Sequence, residues 1–446
     1  MKIATGTASH RSIQQVTKHI IKDVIGDING NSDFLLVAFT PNYRSRQDYE
    51  EALVKLGEES GTKNIVGGTF PGVATSNGYP TTQGCSVMAI QSDDIKFHTP
   101  FSYSNIRINP KKGAKIILDS YKKINQKNRM GLFLTAGPFF EPDAFEQMKI
   151  LDTYFAHKFK GMFNVIGKLI NKNMGKNGFG TANYADEILA ILSKKNVKNM
   201  IGGGTIDLDM KTSFQFEGTK VLKDAMVGTF FSSDKIDFDM DWTFDKSHKL
   251  KDFDVSEFLT SGYIQKINNE PAGKAFLDLI GISEDLYNES FARYANASLL
   301  YLSALDVENE GHVPYVSIFQ SILKGIVTTM PERLLKNKKI KADFFTQSGT
   351  GIQKSAFECA MKASQNIEKP RFGMFVNCSN RLLIAGDKIE KENEAIREAI
   401  GKDVPFITMY SGGEFSVINK KPVFSAVSVH GMIAGENVTT IKNVVF

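Results

Sequence analysis

One short string that occurs twice constrains this chain more than any other feature. Lys63-Asn64-Ile65-Val66-Gly67-Gly68 returns as Lys198-Asn199-Met200-Ile201-Gly202-Gly203. The flanks repeat too. Ser92-Asp93-Asp94-Ile95-Lys96-Phe97 corresponds to Ser233-Asp234-Lys235-Ile236-Asp237-Phe238, and the apolar run Phe34–Phe39 corresponds to Gly131-Leu132-Phe133-Leu134-Thr135. Similarity that keeps the same order of elements means that one supersecondary unit is used more than once. Each copy reads strand, helix, strand, glycine turn, strand. A weaker third echo runs from Phe372-Gly373-Met374-Phe375-Val376, through a helix at about 389–400, to Phe406-Ile407-Thr408-Met409-Tyr410-Ser411-Gly412-Gly413.

Strand-sized apolar runs alternating with helical periods predict an α/β (α+β) chain with mixed sheets. A buried strand is expected at 34–39, closed by Thr40-Pro41-Asn42, and another at about 84–91. A helix is expected to start near Ser9, with Ile13, Val16, Ile20 and Val24 at helical spacing. A second, at about 46–59, sets Tyr49, Ala52, Leu53 and Leu56 on one face. A composition change near 239–262 divides the 446 residues into two domains, 1–238 with the duplicated unit and 239–430, followed by a tail at 431–446. Residues 138–178 interrupt the second copy with a helical stripe of Phe145, Met148, Leu151, Phe155, Phe159 and Met162. This insertion reads as a helical hairpin packed on the core, or as a lid or docking face.

Composition excludes several classes. With 42% hydrophobic and 23% charged residues the chain is an ordinary globular one, with ample material for a core. Fifty-four Lys and Arg against 49 Asp and Glu leave +5, too little for a nucleic-acid footprint. The three cysteines, Cys85, Cys359 and Cys378, form no C-x-x-C, so neither a disulfide framework nor a zinc ribbon is expected. No apolar run approaches the ~20 residues of a membrane helix, and the start lacks a signal-peptide core. The expectation is a cytoplasmic protein without membrane span or nucleic-acid partner.

The signatures of known chemistry are missing one by one. Ser348-Gly349-Thr350-Gly351-Ile352-Gln353-Lys354-Ser355 has Gln353 where a phosphate loop needs glycine, and reads as a loop and cap, or a weak anion site. Gly202-Gly203-Gly204-Thr205 follows a strand but opens no helix, so it is no dinucleotide fingerprint. The histidines form no metal-binding pair. Asp237, Asp239 and Asp241 would share one strand face, as a solvated edge or a calcium site. The basic run Arg333, Lys336, Lys338, Lys339, Lys341 has no interleaved aromatics and reads as a charged surface turn. No catalytic residue, metal or cofactor is assigned.

One C-terminal constellation does suggest binding. Phe375-Val376-Asn377-Cys378-Ser379-Asn380-Arg381 ends a strand in a thiol and a guanidinium, and Tyr410-Ser411-Gly412-Gly413-Glu414 follows about thirty residues on. On neighbouring strands, Arg381 and Glu414 would face one cavity and suit an amino acid by charge, carboxylate to Arg381 and ammonium to Glu414. The plain alternative is that the two pair with each other or with backbone. Cys378 lacks a nearby His to act as its base and reads as a buried thiol.

These residues resemble the FIST family. Phe375-x-x-Cys378-x-x-Arg381, the helix Glu392-Asn393-Glu394-Ala395-Ile396 and Tyr410-Ser411-x-Gly413-Glu414 are similar to the C-terminal FIST domain, and Gly262-Tyr263-Ile264-Gln265-Lys266-Ile267 to its opening segment. Gly67-Gly68-Thr69, Gly202-Gly203-Gly204, Phe216-Glu217-Gly218 and Asp224-Ala225-Met226-Val227-Gly228 resemble the FIST N domain. The resemblance implies a sensory module for small polar ligands, amino acids among them, with Cys378, Arg381, Tyr410, Gly413 and Glu414 as ligand-binding residues. It also implies a separate signalling partner, since no output segment is expected here. Two departures bear on ligand preference: the 138–178 insertion, and Ser379-Asn380 where small residues are usual. Two other readings stay open. One is an enzyme of unrecognised type using Cys378 or Glu414; the other is an interaction scaffold docking through the insertion.

Overall fold

The computed structural model describes residues 1–43, 45–137, 181–206, 213–260, 263–281, 283, 301–306, 315–323, 326–330 and 340–436. It is a mixed α+β structure in which three segments share one pairing pattern. In the first, Phe34–Phe39 runs parallel to Ile65–Thr69 across the helix Arg46–Ser60, and antiparallel to Gly84–Gln91, whose far side holds Lys2–Ser9. In the second, Asn128–Ala136 runs parallel to Met200–Thr205 and antiparallel to Ala225–Ser233, whose far side holds Phe101–Ser104 and Lys96–Phe97. The third places Lys369–Cys378 parallel to Phe406–Ser411 across the helix Glu390–Ile400. Its antiparallel neighbour is Val429–Glu436, whose far side holds Asp237–Thr243. Residues 431–436, expected in a tail, are therefore an inner strand of this sheet.

The glycines of the repeated string have a local cause. A Cβ on Gly67 would overlap the carbonyl oxygen of Val37, and one on Gly202 would overlap that of Phe133. Both positions bring the second parallel strand against the first too closely for a side chain.

After each parallel pair the chain crosses to another unit's sheet. Gly72–Thr75 pairs with Phe406–Ser411, Phe214–Glu217 with Ile65–Thr69, and Glu414–Ile418 with Met200–Thr205. The three exchanges close a ring, and each covers a strand edge that would otherwise be bare. The two sequence halves consequently share the sheets of fourteen and five strands, while the six-stranded sheet is built from the first half alone. The inner faces meet in one core: Leu36 and Val66 from the first unit, Leu132 and Ile201 from the second, Met374, Ile407 and Met409 from the third. Helices cover the outer faces, with Ile13, Val16 and Leu53 over the first sheet and Cys359, Ala360 and Ile396 over the third.

A further antiparallel group, from His248–Thr260 to Ile340–Thr346, extends the fourteen-stranded sheet and joins it, among the described residues, by a single bridge between Val316 and Ser425. The insertion expected at 138–178, and Arg333, Lys336, Lys338 and Lys339 of the basic run, lie outside the described residues.

Candidate functional site

The candidate residues sit where the third unit's chain leaves its own sheet and returns to it. Phe406–Ser411 ends in Gly412-Gly413, and the next strand, Glu414–Ile418, belongs to the fourteen-stranded sheet. The hairpin partner Lys421–Ser425 comes back through Ala426-Val427-Ser428 to Val429–Glu436. Such changes of direction at the carboxyl ends of parallel strands are where open sheets leave room for ligands. The two stretches singled out in the sequence are indeed adjacent: Asn377 is in register with Tyr410 and Cys378 with Ser411.

Arg381 stands on the short helix Asn380–Ala385 and is fully buried. Its Nε donates to Glu392 Oε1 at 2.6 Å, Nη1 to the Val427 carbonyl at 3.2 Å, and Nη2 to the Ile352 carbonyl at 2.8 Å and Ser355 Oγ at 3.1 Å. The guanidinium thereby ties two helices, Gly349–Ser364 and Glu390–Ile400, to the returning turn. Glu392 is equally buried, and Tyr410 donates its hydroxyl to Oε2 at 2.9 Å. Burial first, then the Glu392 carboxylate, pushes the Tyr410 hydroxyl well above its ordinary value. An ion pair this dry contributes little net stability as a pair, but removing one partner leaves a charge costing about 3–5 kcal/mol.

Strand alternation sends Met374, Val376, Ile407 and Met409 into the central core, and Thr408 and Tyr410 to the helix-covered face. There Thr408 Oγ1 donates to Asn393 Oδ1 at 3.1 Å. Asn377 is fully buried beside Tyr410, yet neither its Oδ1 nor its Nδ2 has a hydrogen-bond partner among the described residues, and Asn393 Nδ2 has none either. This polar layer is built but not saturated.

Glu414 lies on the other side of the same turn. Oε1 accepts from Ser411 Oγ at 2.8 Å, and Oε2 from Ser428 Oγ at 3.0 Å and the Ser428 N–H at 3.3 Å. Burial raises its carboxyl to about 8, against the opposing pull of those donors and of Arg381. A hydrogen-bonded line continues from Ser428 Oγ to Ser425 Oγ at 2.7 Å, to His430 Nε2 at 2.8 Å, and from His430 Nδ1 to Ser416 Oγ at 2.9 Å. Burial lowers His430 to about 3, so the ring is neutral. Gly413, at φ +102°, makes the outgoing turn, and its carbonyl accepts from Gly204 N at 3.0 Å.

Cys378 is buried on this side, its thiol pushed well up by burial and by the Glu414 charge. That is the opposite of what activates a nucleophile. Arg381 and Glu414 are thus held by different partners, yet both reach one peptide group: Arg381 holds the Val427 carbonyl and Glu414 holds the Ser428 N–H.

The other motifs resolve simply. Ser348 caps the helix Gly349–Ser364 by accepting from Gly351 N, and the buried Asp245 carboxylate accepts from Ser348 N, so the protein's own anion sits at that helix start. Asp239 accepts from Asn366 and Asp237 from Asn128. Among the described residues no three His, Cys, Asp or Glu side chains are grouped to hold a metal ion, and no helix is long and apolar enough to cross a membrane.

The sequence reading did not assign site roles to Glu392, Ser355, Asn377, Val427, Ser428 or His430. Glu392 carried a legible signal: it shares the helical stripe of Ile396 and Ile400, where a carboxylate must be buried. Asn377 lies beside Cys378 in the string already singled out, where it reads as an ordinary strand residue, and the rest come from distant segments and had no signal.

A family model of the FIST N domain matches residues 33–269, which contain both copies of the glycine string. The chain belongs to the FIST family. FIST is a sensory, ligand-binding domain of signal transduction. The match ends before Cys378, so the C-terminal constellation of this FIST chain lies outside it. A search of curated proteins returns no match.

Proposed function

We propose that the protein is a cytoplasmic sensor of a small polar molecule, an amino acid or a close analogue, bound where the chain crosses between the five- and fourteen-stranded sheets. The observation that supports this reading is the convergence of a buried guanidinium and a buried carboxyl group on one peptide group. Arg381 presents donors toward an acceptor oxygen, and Glu414 presents an acceptor toward an N–H. An amino acid offers the same two groups in charged form, its carboxylate to Arg381 and its ammonium to Glu414. Tyr410 lines the Arg381 side, Cys378 lies toward Glu414, and Gly413 shapes the outgoing turn. The open amide of Asn377 adds a donor and an acceptor for a ligand side chain. In this reading the C-terminal segment is the second FIST domain, and the signal passes to a separate protein through rearrangement of the shared sheets.

Calorimetry and thermal melting against the twenty amino acids and small carboxylates test this. At least one should bind saturably and raise the melting temperature with concentration. Glu414→Gln should weaken that binding at least tenfold. Binding that is unchanged in both Glu414→Gln and Arg381→Lys would remove the site assignment, and no binding at all would remove the ligand class.

A further inference from the structure

We propose that the Val427–Ser428 peptide is a built-in occupant of the ligand site, holding the place between Arg381 and Glu414 until the ligand displaces it. This rests on the ligand reading above and adds how binding is registered. The peptide presents its C=O to Arg381 Nη1 at 3.2 Å and its N–H to Glu414 Oε2 at 3.3 Å, so each side chain is matched from within. Both contacts are at the long end for N–H···O hydrogen bonds, which suits an occupant that can be replaced.

The turn is also strained. Val427 sits at φ +56°, a left-handed conformation in which a β-branched residue is an outlier, and it is fully buried. The corresponding linker of the second unit, between Lys220–Lys223 and Ala225–Ser233, carries Asp224 at φ +52°. Aspartate tolerates that region and valine does not. The fold therefore holds Val427 in place through the bonds around it: Arg381 to its carbonyl, Glu414 to the next N–H, and Cys378 N to the Ser428 carbonyl at 3.0 Å.

A ligand carboxylate on Arg381 and an ammonium on Glu414 replace the first two of these bonds and let the turn relax. Because Ala426-Val427-Ser428 is the whole connection between Lys421–Ser425 in one sheet and Val429–Glu436 in another, its release shifts one sheet against the other. Binding would thus be converted into movement at a sheet junction.

The test is the sign of an effect. Ser428→Ala removes one of the turn's bonds to Glu414 while leaving its N–H, and Ser425→Ala removes the bond that ties the start of the turn to Ser428 Oγ. Both loosen the occupant while leaving the Arg381 and Glu414 side chains themselves in place. Each variant, titrated with the amino acids that bind the wild-type protein, should bind about five- to tenfold more tightly. Hydrogen exchange of the 426–430 segment should accelerate on saturation with the same amino acid. Weaker or equal binding by both variants, together with a segment equally or better protected, overturns the displacement while leaving the ligand assignment standing. Failure of every amino acid to bind wild type and both variants overturns the ligand assignment and the displacement with it.

Discussion

Glu414 and His430 show at the level of single residues what burial does to titration. They stand on one hydrogen-bonded line, and burial moves them in opposite senses, the carboxyl up to about 8 and the imidazole down to about 3. Both favour the neutral form in the folded state. Between about 4.5 and 8 the folded protein holds a proton on Glu414 that the unfolded chain releases, so this group's contribution to stability falls as pH rises through that window. His430 acts the other way: between about 6.5 and 3 the unfolded chain takes up a proton that the folded one refuses, and stability is lost as pH falls. Arg381 and Cys378 are the charged or titratable groups that couple to Glu414, and the aromatic neighbour of His430 is Trp242. The expected outcome is that Glu414→Gln flattens the fall in stability between pH 5 and 8, measured by urea unfolding. An unchanged slope would mean that Glu414 is ionised in the folded protein. The residue types at this site were legible beforehand, since Arg381, Tyr410, Gly413 and Glu414 stand in two compact strings. Their partners were not, because Ser355, Val427 and Ser428 come from other stretches of chain and are ordinary residues in ordinary local contexts.

Among the elements, the parallel pair with its close glycine is the recurring piece. Gly67 and Gly202 each face a backbone carbonyl of the preceding parallel strand, with no flexible side chain in between to give way. Gly67→Ala and Gly202→Ala should each lower stability by more than the roughly 1–3 kcal/mol that overpacking a core usually costs, to the extent of preventing soluble expression. Thermal melting of either variant within a few degrees of wild type would contradict the close approach. The elements themselves were well marked: the strand expected at 34–39 is Phe34–Phe39, the helix expected at about 46–59 is Arg46–Ser60, and the strand at about 84–91 is Gly84–Gln91. Continuous apolar runs and a helical stripe are local signals, so they survive without tertiary context. The crossing strands Gly72–Thr75 and Glu414–Ile418 carry no mark of which sheet they join, since hydrogen-bond partners leave no trace in a strand's own pattern.

For the whole molecule, exchange around the ring makes the units interdependent. Met200–Thr205 is paired on one side by Glu414–Ile418, and Gly72–Thr75 finds its partner in Phe406–Ser411. A fragment of residues 33–269, the stretch matched by the FIST N domain, would keep neither contact and would also lose Lys2–Ser9 from the edge of the first sheet. Such a fragment, expressed alone, is expected to aggregate or to lack the cooperative unfolding and dispersed amide resonances expected of the full chain. A fragment that melts cooperatively would show that the shared sheets are dispensable for folding. The repeated Gly-Gly strings, the alternation of strand and helix, and the buried character of each run belong to the sequence alone, because covalent order and side-chain polarity act over a few residues. The ring of exchanged strands, the ion pair of Arg381 with Glu392, and the placing of the Val427–Ser428 peptide between Arg381 and Glu414 were decided only by tertiary structure. Each depends on which distant segments share the same buried space, and that is set by packing the three units around one core.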